Sequence, residues 1–226
     1  LTVARQVRLV VPALAHLVQW RALHNVDPYP SPEDRREFIS ILCASSTGLA
    51  LQVHAYALRP DGVLALVTPG DQEALGRWMQ AVGRRYVSGY NRRHRRSGTL
   101  WAGRFRSAAI EPGAWSLKAL RFVDGAASEP EASGASQRCG GAQLEWPVTD
   151  PPEYWALGNT PFDRQTAYSA LLADPLATED IERLERCLSG GWVCGEEAFL
   201  RQIASQALRA PSPRRRGRPA RTTATR

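Results

Sequence analysis

The chain has 226 residues, 43% of them hydrophobic, which suffices to bury one good core and a small second unit. It contains no run of 18 apolar residues and no signal-peptide profile, so a membrane-spanning or secreted protein is disfavoured and a soluble cytoplasmic one expected. The formal net charge of +7 is localised: the acid-free segments 84–106 and 209–226 hold eight and seven arginines, and the remainder carries 14 basic against 22 acidic residues. The chain begins at Leu1 and its only methionine is Met79, which leaves the true N-terminus open. Cys43, Cys139, Cys187 and Cys194 have neither zinc-knuckle nor CxxC spacing and read as reduced thiols.

Residues 6–11 and 14–20 are short apolar runs broken by Pro12 and predict an N-terminal strand with a kinked entry. Ser31 followed by Pro32, Glu33 and Asp34 is a helix-start signature, and Phe38, Ile41 and Leu42 recur at helical spacing through Ala44. Residues 49–58 alternate, with Leu51, Val53, Ala55 and Ala57 opposed to Gln52, His54, Tyr56 and Leu58, and read as a strand. Pro60, Asp61 and Gly62 form a turn signal, and the apolar run 63–67 completes a hairpin.

The next helix is expected from Asp71 to about His94, with Leu75, Trp78, Met79, Val82 and Tyr86 as its apolar stripe. Arg84, Arg85, Arg92 and Arg93 fall within it, Arg95 and Arg96 follow, and Arg104 and Arg106 close the basic segment. Arginine forks onto phosphate oxygens and stacks on bases, and Tyr86, Tyr90, Trp101 and Phe105 are interleaved among these cations. That mixture is the one single-strand nucleic-acid binders use, so Arg84, Arg85, Tyr90, Arg92, Arg93, Arg95, Arg96, Trp101, Arg104 and Phe105 are candidate binding residues. A solvated basic helix face is the competing reading on charge alone.

A strand over 105–110 and a helix over 112–123 complete the order βαββαβα. This predicts an α+β, ferredoxin-like domain with an antiparallel sheet over residues 1–123. Residues 124–152 turn to Gly, Ala, Ser, Glu and Pro and read as a flexible connector. A small C-terminal helical region over 153–208 follows, with helices at 160–172, 178–188 and 196–208 packing on the main domain. The tail 209–226 reads as disordered and basic, and within it Arg214, Arg215, Arg216 and Arg218 are further candidate DNA contacts. Its Arg216-Gly217-Arg218-Pro219 string looks like an AT-hook core, although non-specific phosphate contact is the simpler role.

Three stretches together resemble the IS200-like, REP-associated tyrosine transposases of the HUH type. They are Leu51 to Pro60 (LQVHAYALRP), Gly83 to Val87 (GRRYV) and Ser97 to Phe105 (SGTLWAGRF), the last being the most specific. The likeness continues through Tyr154 to Gly158, Arg164 to Tyr168, Gly191-Trp192 and the Arg-Gly-Arg-Pro tail. It implies a protein of a bacterial mobile element that handles single-stranded or hairpin DNA, as a monomer or a homodimer. It further implies a His-hydrophobic-His pair on a strand holding Mg²⁺ or Mn²⁺, and a helix tyrosine that attacks the scissile phosphate. Residues i and i+2 of a strand share a face, so such a pair can reach one ion.

The chain departs from that pattern where the chemistry would lie. The two histidine positions fall on Gly62 and Leu64, the tyrosine position on Phe122, and the family's following Asn-Pro element is missing. His54 reads as a structural histidine; His16, His24 and His94 have no partner at ligand spacing; Tyr86 reads as core. The expectation is therefore a DNA-binding protein with a degenerate active site, no catalytic residue and no metal or other cofactor. The alternatives are an active transposase with a non-standard site and a protein-interaction module whose arginines meet an acidic partner.

Overall fold

The hairpin at the centre of the sheet sets the architecture. Strand β2 (Leu51–Arg59) turns through Pro60 and Asp61 into β3 (Gly62–Pro69), and the two pair antiparallel. Gly62 sits at φ +139, and a Cβ there would lie 2.0 Å from the Trp20 carbonyl oxygen, so only glycine fits. In the computed structural model residues 8–127, 133–141, 146, 148–206 and 210–213 are described. Strand β1 (His16–Arg21) pairs antiparallel with β3 on one side and with β4 (Arg106–Ala109) on the other, giving the order β2-β3-β1-β4. Helix α1 (Pro32–Ala44) joins β1 to β2, and α2 (Ala74–Arg93) joins β3 to β4. Helix α3 (Ala114–Asp124) follows, and this connectivity and pairing are those of the predicted α+β domain.

Both faces of the sheet are covered. Val18, Val63, Ala65 and Val67 point toward α1 and α2, where they meet Phe38, Leu42, Leu75, Trp78 and Val82. Leu17, Leu64 and Leu66 point the other way, toward Trp115, Ala119 and Leu120 of α3. The period-2 alternation of β3 produces this division directly. In β2 it fails at one point. The register passes from Val53↔Val67 to Ala55↔Leu66, so His54 is an inserted bulge residue. Val53 therefore shares a face with Tyr56 and Leu58, and Ala55 and Ala57 face α3, which corrects the single alternation read from the sequence.

The start of α1 forms as its residues require: Ser31 Oγ accepts from the Asp34 N–H at 3.2 Å, and Pro32 stands at the first turn. Of the predicted N-terminal strand, His16–Arg21 is extended in the sheet and residues 8–11 are not in a strand.

Parts of residues 124–152, read as a flexible connector, pack against the fold. The short helix α4 (Ala135–Arg138) buries Arg138, which bonds Asp124 at 2.8 Å and Asp150 at 2.9 Å. Thr149 donates its N–H to the Val53 carbonyl, and Ser133 bridges to Ala57. Helices α5 (Pro152–Trp155), α6 (Pro161–Ala173) and α7 (Thr178–Gly190) add Tyr154, Tyr168, Leu184 and Leu188 to the α3 side of the core. Helix α8 (Glu197–Gln206) packs Ile203 against Leu9 and Val193. Among the described residues no helix is long and apolar enough to cross a membrane.

Candidate nucleic-acid interface

The buried stripe of α2 fixes which of its arginines reach solvent. Leu75, Trp78, Met79, Val82, Tyr86 and Tyr90 are all buried, and Trp78 donates to the Leu42 carbonyl at 2.9 Å. Arg84, Arg85 and Arg92 fall outside that stripe and are exposed, and of the three only Arg84 lines the groove described below. Arg95 is exposed beyond the helix end, and Arg96 reaches the Thr99 carbonyl at 3.4 Å.

Two candidates are engaged within the protein instead. Tyr90 is buried and donates its hydroxyl to the Asp27 carbonyl at 2.9 Å, as Tyr86 does to Pro28 at 2.6 Å. Burial pushes both phenols up from their ordinary value. Tyr90 is thus a core anchor rather than a stacking platform. Arg93 is exposed, yet it binds the buried Asp34 at 2.7 Å and also contacts Glu37, so its charge is paired within the chain. The Asp34 carboxylate is 1% exposed; burial alone would raise its pKa, but bonds from Arg93, Ser31 and His94 hold it below the ordinary value.

The chain from Ser97 to Phe105 forms the second wall. Trp101 is buried and stacked on Trp20, with ring centroids 4.3 Å apart at 15°, and Trp20 donates its Nε1–H to the Gly103 carbonyl. One face of Trp101 is therefore occupied by protein. Phe105 is buried as well, and the Arg8 guanidinium lies over its ring at 3.7 Å. The role of Trp101 and Phe105 is to line the wall, not to stand free in solvent.

Between α2 and this segment runs an open groove of about 780 Å³. Trp20, Met79, Val87 and Phe105 supply apolar surface; Arg8, Arg84 and Arg104 supply charge; among the described residues no Asp or Glu lines it. A smaller cavity of about 190 Å³ shares Arg8, Arg104 and Phe105 and adds Arg106 and residues 189–191. Burial and the nearby Arg104 charge lower the Arg8 pKa to about 10, so Arg8 remains cationic at neutral pH. Two cations crowded together with no acid in the lining create a site that gains from an anion. Sequence reasoning missed Arg8, because it stands alone among apolar residues and comes to Arg104 only through the fold.

The positions at which the family resemblance would place the metal pair and the tyrosine also converge. Leu64 and Phe122 line one cavity of about 410 Å³, and Gly62 pairs with Arg21 and Arg59, which line it too. Its remaining polar groups include Gln19, Glu182, Glu185 and Arg186. A divalent metal does not fit this set: neither Leu64 nor Gly62 offers a donor, and arginines stand beside the two carboxylates. Among the described residues no three His, Cys, Asp or Glu side chains are grouped to hold an ion.

The buried histidines are committed elsewhere. His54 Nδ1 meets the Thr149 carbonyl at 2.6 Å and Nε2 the Thr68 hydroxyl at 2.7 Å, while burial lowers its pKa. This agrees with its reading as a structural histidine. Arg214, Arg215, Arg216 and Arg218 lie outside the described residues.

No protein-family model matches the chain, and no curated protein matches it. Solved structures do. One is a REP-associated tyrosine transposase bound to a REP hairpin, at a TM-score of 0.49 and 12% identity, covering 67% of this chain and 96% of that one. Another is a candidate transposase from Deinococcus radiodurans r1, at a TM-score of 0.38 and 17% identity, covering 56% of this chain and all of that one.

Proposed function

We propose that this chain is a DNA-binding member of the IS200-like transposase family that holds single-stranded or hairpin DNA and does not cut it. The observation that carries this reading is the acid-free groove: arginines at its rim match a phosphate backbone, and the apolar surface between them suits unpaired bases. The segment from Ser97 to Phe105, the most specific piece of the family likeness, is one wall of that groove.

The absence of cleavage follows from residue chemistry. The Phe122 side chain has no oxygen to attack phosphorus, and the side chains of Leu64 and Gly62 have no lone pair for a metal. Tyr86 and Tyr90, the nearest tyrosines, are buried with their hydroxyls bonded and their pKa values raised, which suits neither as a nucleophile.

The test is a labelled DNA hairpin incubated with the full chain in Mg²⁺, Mn²⁺ or EDTA and resolved on native and denaturing gels. A native shift indifferent to EDTA, with intact DNA and no covalent band, is expected. A metal-dependent covalent protein–DNA band would refute the reading.

A further inference from the structure

We infer that Cys187 and Cys194 form a peroxide-reactive thiol pair that closes to an intramolecular disulfide. Six residues separate them in sequence, but the end of α7 folds them together. Gly191 adopts φ +64, and the Trp192 N–H donates to the Cys187 carbonyl at 2.8 Å, turning the chain back across the last helical turn. The Cys187 thiol then meets the Val193 carbonyl at 3.4 Å, and the next residue is Cys194. Cys194 is pinned at the end of β4, donating its N–H to Ala109 and accepting from the Glu111 N–H, both at 2.8 Å. Both side chains belong to the cluster between α7 and the sheet, Cys194 buried within it and Cys187 packed against its edge.

The pair is asymmetric, which assigns the order of reaction. Cys187 is half-buried and Cys194 fully buried, so an oxidant reaches Cys187 first. A position in the last turn of a helix works against a thiolate there. The neighbouring Cys194 thiol and the nearby Arg183 and Arg186 charges outweigh this and the partial burial, and hold the Cys187 thiol below its ordinary value. The same contact pushes Cys194 up, and burial alone pushes Cys43 up to about 11.

With hydrogen peroxide as the oxidant, the Cys187 thiolate attacks one oxygen. An S–O bond forms, the O–O bond breaks, and the departing hydroxide takes up a proton as water. The Cys194 sulfur then attacks the Cys187 sulfenic acid; an S–S bond forms, the S–O bond breaks, and the Cys194 proton leaves with the hydroxyl as a second water. The two thiols have given two electrons to the peroxide. This inference is independent of DNA binding, although residues 189–191 between the two cysteines line the smaller arginine-rimmed cavity.

The experiment treats the reduced full chain with hydrogen peroxide and maps its thiols by mass spectrometry. A linked peptide pairing Cys187 with Cys194 and lighter by two hydrogens is expected, with Cys43 and Cys139 still free. In Cys194→Ser, dimedone should label a sulfenic acid at Cys187 about tenfold faster than at Cys43. In Cys187→Ser, the linked peptide should vanish. The wild-type mapping stands by itself if either variant fails to fold. Absence of the linked peptide, or labelling of Cys187 no faster than of Cys43, would overturn the proposal.

Discussion

His16, the first residue of β1, is buried with both ring nitrogens engaged: Nδ1 meets the Leu14 carbonyl at 2.8 Å, and Nε2 accepts the Val11 N–H at 3.2 Å. A second ring proton would point at that N–H, and burial lowers the pKa from 6.5 to about 4. The unfolded chain then binds the extra proton between these values and the folded chain does not, so stability is full above pH 6.5 and falls as pH drops toward 4. The loss from this residue is on the order of 3 kcal/mol. Urea unfolding at pH 7 and pH 4.5 measures it, and His16→Phe should flatten the difference. Asp34 has the opposite chemistry with the same sign: its pKa is lowered, so its contribution is lost as pH falls through that value. Arg93→Ala would leave the buried Asp34 short of its main partner and should cost about 2 kcal/mol, with hairpin affinity almost unchanged. A large loss of affinity in that variant would show that Arg93 faces DNA after all.

Helix α2 carries a buried stripe and an exposed basic side, and both were legible because an unbroken 3.6-residue period runs from Leu75 to Tyr86. Its approach to the sheet depends on Gly83, where a Cβ would come 2.6 Å from the Trp20 ring. That ring is held by stacking on Trp101 and by its bond to Gly103, so it cannot easily give way. Gly83→Ala should therefore destabilise the chain by about 1–2 kcal/mol and distort the groove floor; thermal unfolding and hairpin binding both report on it. Other features were not legible. An inserted residue leaves no mark in a period-2 pattern, so the His54 bulge was hidden within an apparently regular strand. Tyr90 and Arg93 stand among arginines in sequence, but helical geometry turns them toward Asp27 and Asp34 of preceding segments. Arg8 and Arg104, 96 positions apart, meet only because residues 8–11 run beside the end of the β1–β4 pair.

For the whole molecule, the decisive unread residue is Arg138. It lies in a stretch whose composition predicts no packing, yet its guanidinium bonds Asp124 of α3, Asp150 and the His54 carbonyl of β2. Tyr168 of α6 donates to the same Asp124 at 2.6 Å, so one buried ionic group joins sheet, α3 and the C-terminal helices. Removing one partner strands the other charge, and Arg138→Ala should cost about 3–5 kcal/mol by chemical denaturation. Charge is the other property of the whole chain. Of the arginines in segment 84–106, Arg84 and Arg104 line the groove, and Arg8 joins them from outside the basic segment.

The most direct test of that groove is the salt dependence of affinity for a DNA hairpin. It would be measured by fluorescence anisotropy for the wild type, Arg8→Ala, Arg104→Ala and the double variant. If the two arginines hold phosphates, each single change lowers the slope of log affinity against log salt by about 1, and the double change by about 2. Slopes equal to the wild type in all three variants would place the DNA elsewhere and contradict the account.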